Sequence, residues 1–257
     1  MERVVRTLFC LLAGLYSIGV APGQIPLNLT PSRAVGHVKL ALITAAPNRV
    51  EGREFNGPFG VAVDETSGYV YVADTNNNRV LAFAGAHSFA NGAPAAFVLG
   101  QRDVYSTLLQ GPGTSFTSGL AAPTGVAVDA QGNVYVADGA NNRIVRYPRP
   151  VGQAEGEPRL ADFLIGQTSF NENRPNRGGA ATASTLFFSS SSVLYKITLR
   201  FDVAGNLWVT DAGNHRVLRY PAAALAGGAA NGPAADLALG QDSMTGNTPL
   251  PNSPSAN

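Results

Sequence analysis

The sequence predicts an all-β protein assembled from copies of one four-stranded unit. A signature with Gly-Val-Ala-Val-Asp, Tyr-Val-Ala-Asp and Asn-Arg begins at Gly60, recurs at Gly125 and returns in degraded form near Phe201. Apolar residues alternate with a period of two inside each copy, which is typical of strands. The 29 glycines and 17 prolines suit a fold with many tight turns. These three observations together indicate a repeat protein made of β-hairpins.

The strands of the second copy follow from this alternation. Val126 and Val128 share one face of a first strand, and Val134 and Val136 define one face of a second. Gln131-Gly132-Asn133 lies between them and predicts a hairpin turn, since Gly and Asn tolerate positive φ. The third strand follows Arg143, and a fourth strand closes each unit. The three fourth strands are predicted at Phe97–Gln101, Phe163–Gln167 and Leu237–Gln241.

The repeated unit resembles the NHL repeat. The resemblance is carried by Pro-x-Gly-Val-Ala-Val-Asp, Gly-Asn-Val-Tyr-Val-Ala-Asp and Asn-Asn-Arg-Ile-Val-Arg-Tyr, read from Pro123 to Tyr147. Proteins of this family form six-bladed β-propellers, and the chain resembles their exported bacterial type. The resemblance implies that each copy is one blade. It also implies that three copies make an incomplete six-bladed ring.

The first residues predict an exported protein. Arg3 and Arg6 precede an apolar run from Leu8 to Val20, and Ala21-Pro22-Gly23 follows as a cleavage site. An uncleaved membrane anchor is the alternative, but the run is shorter than the roughly 20 residues of a spanning helix. Cys10, the only cysteine, would leave with the leader. We therefore expect a secreted, periplasmic or cell-surface protein without disulfides.

The spacing of the copies predicts the organisation of the chain. Pro31–His37 resembles a fourth strand without its first three, so a stray N-terminal strand is expected before the three blades. Residues 189–199 replace the usual opening of the third copy, either as a local replacement or as an unusual inner strand over Val193–Phe201. The predicted segments are 1–23 signal peptide, 24–54 leader with stray outer strand, 55–101 blade 1, 102–167 inter-blade loop and blade 2, 168–241 long loop and blade 3, and 242–257 truncated inter-blade loop.

The charge balance argues against nucleic acid as a partner. Losing Glu2, Arg3 and Arg6 with the leader takes the 18 basic and 17 acidic residues to 16 of each. A nucleic-acid-binding protein is expected to carry a large basic excess or stripe. After cleavage we also expect no membrane association, whereas self-association through open blade edges is expected from the missing half of the ring.

An Asp and an Arg recur at the junction of the second and third strands of each copy. Because they occur once per blade, we interpret them as structural ties in which Asp accepts turn amides and Arg bridges neighbouring strands. Acid–base chemistry is the less favoured alternative. The tie residues are Asp74, Arg79, Asp138, Arg143, Asp211 and Arg216.

The sequence predicts no catalytic residues, no metal site and no cofactor. Asp64, Asp129 and Asp202 each end a first strand, where Asp caps turn amides, and calcium is the alternative. The three histidines, at positions 37, 87 and 215, fall at different repeat positions and form no zinc-ligand set. Trp208 takes the place of Tyr71 and Tyr135 and is expected to be a blade-face aromatic.

The predicted function is non-catalytic binding of a protein, peptide or glycan. The loops Arg102 to Pro123 and Thr168 to Phe188 join fourth strands to the next blade, on the same face as the turns between second and third strands. The alternatives are a lactonase- or lyase-like enzyme with a metal in the central channel, as the resemblance allows, and a degenerate fragment of a longer protein. The candidate contact residues are Asn76, Asn77, Asn141, Asn142 and Asn214.

Overall fold

The computed structural model describes residues 50–85, 90–111 and 119–249. In these ranges the chain forms three four-stranded antiparallel sheets, in the orders β1-β2-β3-β4, β5-β6-β7-β8 and β9-β10-β11-β12. We call them blades 1, 2 and 3. The strands are β1 Pro58–Val63, β2 Val70–Asp74, β3 Arg79–Phe83, β4 Phe97–Leu99, β5 Pro123–Val128, β6 Val134–Asp138, β7 Arg143–Tyr147, β8 Phe163–Ile165, β9 Leu199–Phe201, β10 Leu207–Asp211, β11 Arg216–Tyr220 and β12 Leu237–Leu239.

The sheets confirm the predicted all-β class and the propeller-type blade of four strands. The signal peptide, the stray strand, His37, His87 and part of the loop after blade 1 lie outside the described residues. Among the residues that are described, no helix has the length and apolar character needed to cross a membrane. Short 3-10 turns at Thr75–Asn77, Gly139–Asn141 and Ala212–Asn214 connect the second and third strands, and others lie at Pro175–Gly178 and Ala222–Leu225.

Each turn between second and third strands ends on a residue with left-handed backbone geometry. Asn78 and Asn142 have φ of 52° and 51°, and His215 has 54°. Asn adopts this conformation more readily than most residues, which explains its place in the repeat. The turn reverses the chain sharply, so that Asp138 at the end of β6 is paired with Arg143 at the start of β7.

Neighbouring blades pack face to face through apolar side chains. We call the face of a blade that contacts the preceding blade its leading face and the opposite one its trailing face. The trailing face of blade 1 meets the leading face of blade 2 in one apolar cluster, and blades 2 and 3 share a second. The first cluster contains Tyr71, Ala73, Val80, Ala82 and Leu99 from blade 1 and Val126, Val134, Val136, Val145 and Tyr147 from blade 2.

Two glycines let the first strands of adjacent blades approach closely. A Cβ on Gly60 would lie 2.6 Å from the carbonyl oxygen of Thr124, and a Cβ on Gly125 would lie 2.5 Å from that of Ile197. Both distances are shorter than a Cβ and a backbone oxygen tolerate. The repeated Gly-Val-Ala therefore encodes blade packing rather than a turn.

Blade 3 contains an insertion where the sequence departs from the repeat. Ala121 and Phe187 are equivalent, because each donates its backbone N–H to the Asp at the end of the second strand. Val126 and Leu199 are also equivalent, because they pair with Val136 and Val209. Blade 3 has seven more residues between these points, which we define as the insertion, Ser189–Tyr195. Only Leu199–Phe201 of the expected Val193–Phe201 inner strand is a strand.

We expect Gly125→Ala to lower the free energy of unfolding by about 2 kcal/mol, because the added methyl group forces two backbones apart. Gly227→Ala is the matched control, since Gly227 is exposed, and a Cβ there would have no atom within 4 Å. Urea denaturation of both variants measures the difference. Equal stability of the two variants would contradict the close approach of β5 to blade 3.

Candidate functional site

The long loops and the turns between second and third strands lie on one side of the blades, which we call the loop face. The Asn78 side chain shows this directly: its Nδ2 donates to the carbonyl of Thr107 at 3.1 Å, and its Oδ1 accepts from the N–H of Ala122 at 3.0 Å. Thr107 and Ala122 belong to the loop that joins blade 1 to blade 2. The arrangement is the one expected for up-and-down blades.

A buried Asp–Arg ion pair lies beneath each turn of the loop face. The Arg Nε to Asp Oδ2 distances are 2.7 Å for Arg79–Asp74, 2.8 Å for Arg143–Asp138 and 2.7 Å for Arg216–Asp211, and all six side chains are fully buried. The same Asp Oδ2 accepts from an Asn of the turn at 2.8 Å in every blade. Burial raises the pKa of the Asp211 carboxyl, although Asn214 and Arg216 oppose this shift.

The Asp also holds the chain that enters its own blade. Its Oδ1 accepts the N–H of Asn56 in blade 1, of Ala121 in blade 2 and of Phe187 in blade 3, at 2.6, 2.7 and 2.8 Å. One carboxylate therefore connects the incoming loop, the turn and the third strand. Such charge-assisted hydrogen bonds satisfy an anion that is removed from water.

The Arg extends the same connection to the loop that leaves the blade. Arg143 donates to the carbonyl of Phe170 at 2.7 Å and to that of Gly119 at 3.3 Å, so it joins the loops on both sides of blade 2. Arg216 contacts the carbonyls of Met244 and Thr185 in the same way. Arg79 donates to Val104 in the loop after blade 1.

The Gln that follows each fourth strand is a further loop anchor. Gln167 donates to the carbonyls of Asn142 and Arg174, at 3.2 and 2.8 Å. Gln101 and Gln241 make the equivalent pairs of bonds in blades 1 and 3. The described parts of the loops are therefore held in place, and the repeat supplies the residues that hold them.

Four of the five predicted contact asparagines are buried. Asn77, Asn141 and Asn214 bond to the Asp of their own blade, and Asn142 accepts the N–H groups of Phe188 and Ser189, both at 2.8 Å. Their exposed fractions are 2% or less. Asn76 alone among the five is exposed. We predicted these four side chains as surface contacts, but their amide groups form hydrogen bonds inside the protein. Of the five predicted contact residues, Asn76 remains available at the surface.

The insertion borders a groove on the loop face, with a cavity volume of about 570 Å³. Residues 189–194 form one wall, Asn173–Pro175 another, and Ala140 and Asn142 complete the lining. Val193 and Leu194 are 43% and 39% exposed. Arg174 is exposed as well, and its guanidinium has no hydrogen-bond partner among the described residues. The sequence shows that residues 189–199 depart from the repeat, but it does not predict that they border a groove.

The insertion also reaches the first strand of blade 1. Lys196, directly after it, places its Nζ 4.9 Å from the ring centroid of Phe59. A smaller cavity of about 270 Å³ lies between Leu194, Lys196, Asn76 and residues 57–59. Asn76 thus lies beside the insertion, and Leu194 of the insertion lines both the groove and this smaller cavity.

A larger cleft of about 710 Å³ lies between blades 2 and 3, beside the turns that follow their first strands. Its charged residues Arg146, Asp129 and Asp162 are bonded within the fold. Arg146 pairs with Asp162 at 2.8 Å and donates to the carbonyl of Leu225 at 2.8 Å. Asp129 accepts from Gln131 and Asn133 of its own turn, as predicted for this position. These charged groups of the cleft are therefore held by bonds within the protein.

Asp202 borders this cleft and has the clearest electrostatic signature in blade 3. Its carboxylate accepts Trp208 Nε1 at 2.9 Å and Asn206 Nδ2 at 3.0 Å, together with the N–H groups of Asn206 and Ala204. These donors, led by Trp208, lower the pKa of Asp202 to about 2. Asp202 is thus held as an anion by local hydrogen bonds.

Within the described ranges, no group of three or more His, Cys, Asp or Glu side chains converges as a metal site. His215 is exposed and occupies the position of Asn78 and Asn142. Trp208 lies on the blade face, as its place in the repeat predicts.

Comparisons with known proteins identify the repeat in blades 1 and 2. The family profile of the NHL repeat matches residues 55–83 and 120–147. Solved structures with similarity include a gluconolactonase from Xanthomonas campestris (17% identity, TM-score 0.38, 68% of this chain and 47% of that one) and a streptogramin B lyase (12%, 0.33, 65% and 38%). A virginiamycin B lyase from Staphylococcus aureus is also similar (14%, 0.33, 67% and 39%). The chain spans less than half the length of these three proteins. No curated protein matches the sequence.

We expect the fluorescence of Trp208, the only tryptophan, to report the ionisation of Asp202. An unfolded Asp titrates near pH 3.9, so the bonds to Asp202 stabilise the fold above about pH 4, and their contribution is lost as the pH falls towards about 2. A fluorescence titration, with circular dichroism to verify folding at each pH, should give a midpoint near 2.

Asp202→Asn is the control for this titration and should show no such transition. A midpoint near pH 4, or an unchanged transition in Asp202→Asn, would contradict the assignment.

Proposed function

We propose that this chain, in which two segments match the NHL repeat, is a non-catalytic binding protein and that the groove beside Ser189–Tyr195 binds an extended peptide segment of a partner protein. The observation that carries this proposal is the contrast between the repeat and the insertion. The buried Asp, Asn and Arg of the repeat are bonded within the fold, whereas the insertion adds exposed groups that the repeat does not need.

The chemistry of the groove favours a peptide that combines apolar and acidic side chains. Val193 and Leu194 provide exposed apolar surface, and three serine hydroxyls adjoin them at positions 190–192. Arg174 on the facing wall can form a bidentate pair with a carboxylate, a geometry that its planar fork favours. A volume of about 570 Å³ lies within the range of ligand pockets.

The site is supported by a rigid frame. Gln167 fixes the carbonyl of Arg174, and Asn142 fixes the backbone at Phe188 and Ser189 on the opposite wall. Both anchors belong to blade 2, so the two walls are positioned by the same blade. A preorganised groove loses less conformational entropy when a peptide binds.

We expect deletion of Ser189–Tyr195 to abolish peptide binding and to leave a folded protein. The deletion gives blade 3 the spacing of blade 2, because Lys196 then follows Phe188 as Pro123 follows Ala122. Peptides are selected on the full chain from a displayed random library, and their affinities are measured by calorimetry. Melting curves of each variant verify folding.

Arg174→Gln should weaken the selected peptides by about tenfold, since it removes the charged partner of the carboxylate. Arg149→Gln is the matched control, because Arg149 is also exposed but follows β7, away from the groove. The proposal is wrong if selected peptides bind the deletion variant as well as the intact chain, or if no peptide is selected.

A further inference from the structure

Among the described residues, two blade faces have no neighbouring blade packed against them. On the leading face of blade 1, Val61 and Val63 of β1 are 64% and 51% exposed, opposite Val72 and Val70 of β2. The equivalent of Val61 in blade 2 is Val126, which is 5% exposed because it packs against blade 1. Exposed neighbouring apolar side chains of this kind mark an interaction surface.

The trailing face of blade 3 is the second open face. In blade 2, a cross-strand row of Ala127, Tyr135, Arg146 and Phe163 is buried against blade 3. The equivalent row in blade 3 is Arg200, Trp208, Arg219 and Leu237, and every member is at least partly exposed. The row keeps an aromatic residue, Trp208, at the position of Tyr135, and an arginine, Arg219, at the position of Arg146.

Arg219 shows what the trailing face lacks. It pairs with Asp236 at 2.9 Å, as Arg146 pairs with Asp162 at 2.8 Å. Arg146 has a further bond across the interface, from Nη1 to the carbonyl of Leu225 in blade 3. Nη1 of Arg219 has no equivalent acceptor among the described residues. The guanidinium is therefore oriented as in an interface, without the neighbouring blade.

We propose that a second copy of this chain docks on these faces, with blade 3 of each copy against blade 1 of the other. We expect another blade to cover each open face, because the chain already packs blade against blade twice, between blades 1 and 2 and between blades 2 and 3. We choose a second copy because the described residues carry both required faces, so that each face of one copy meets its counterpart on the other. Two sets of three blades close a six-bladed ring with two-fold symmetry.

Thr198 makes this interface looser than those within the chain. It occupies the register position of Gly60 and Gly125, directly before Leu199. A Cβ at either glycine would lie 2.6 or 2.5 Å from the next strand, so the second copy must dock with its first strand farther out. The dimer therefore dissociates on dilution, and Thr198→Gly tightens it.

Ring closure also affects the groove region. First strands line the central channel of a propeller, and Lys196, directly after the insertion of blade 3, already contacts Phe59 in the first strand of blade 1. In the dimer, the insertion of the second copy faces the same channel from the opposite side. The cavity beside Asn76 and Lys196 then becomes part of an enclosed channel.

Light scattering on the full chain across a concentration series tests the proposal. We expect twice the chain mass at high concentration and a monomer on dilution. Val217 is the register equivalent of Ile144, which packs against blade 3, and therefore lies on the trailing face. Val61→Asp on the leading face and Val217→Asp on the trailing face should each weaken dimerisation by about tenfold or more, because they bury an unpaired charge. Leu109→Asp is the matched control, since Leu109 is 67% exposed on the loop after blade 1 and away from both faces.

Mixing the two interface variants gives the decisive result. A Val61→Asp chain keeps a native blade 3, and a Val217→Asp chain keeps a native blade 1. The mixed pair therefore has one native interface and should dimerise at concentrations at which each variant alone is a monomer. Melting curves and far-ultraviolet circular dichroism verify that each variant is folded. A monomer at all concentrations, open polymers larger than a dimer, or dimers that Val61→Asp does not weaken would each overturn the proposal.

Discussion

The buried Asp–Arg pair at the end of each second strand is the interaction on which the loop face depends. Asp138 holds the incoming chain at Ala121, the turn at Asn141 and the third strand at Arg143, and Arg143 holds the outgoing loop at Phe170. Removing either partner would leave a charge without compensation in a dry environment, which is strongly destabilising. Every blade repeats this arrangement, so the repeat encodes a frame that positions unrepeated loops.

The repeat made the architecture predictable from the sequence, because strand alternation and turn residues are local signals. The hydrogen-bond partners of the polar side chains could not be predicted in the same way. Asn142 and Asn76 look alike in the sequence, yet one bonds across a blade interface and the other is exposed. Their difference depends on contacts with residues such as Phe188, more than 40 positions away, and no local pattern encodes such distant pairing.

Blade 3 shows how a repeat diverges when its neighbour changes. Thr198 stands where blade 2 has Gly125, and Arg200 stands where blade 2 has the buried Ala127. The insertion Ser189–Tyr195 lengthens the segment that leads into the first strand of blade 3. Departures from the repeat therefore coincide with the groove and with an open face. The exposed chemistry of the protein lies where the repeat is broken, whereas its buried chemistry lies where the repeat is kept.

Amide hydrogen exchange of Arg143→Lys measured against Arg200→Lys tests most directly whether the Asp–Arg frame positions the loops. Lysine keeps the charge and loses the fork that reaches Asp138, Phe170 and Gly119. The account predicts faster exchange in the loop after blade 2 and at residues 119–122, with β6 and β7 still protected and Arg200→Lys unchanged. Uniformly faster exchange throughout blade 2, or no difference between the two variants, would contradict it.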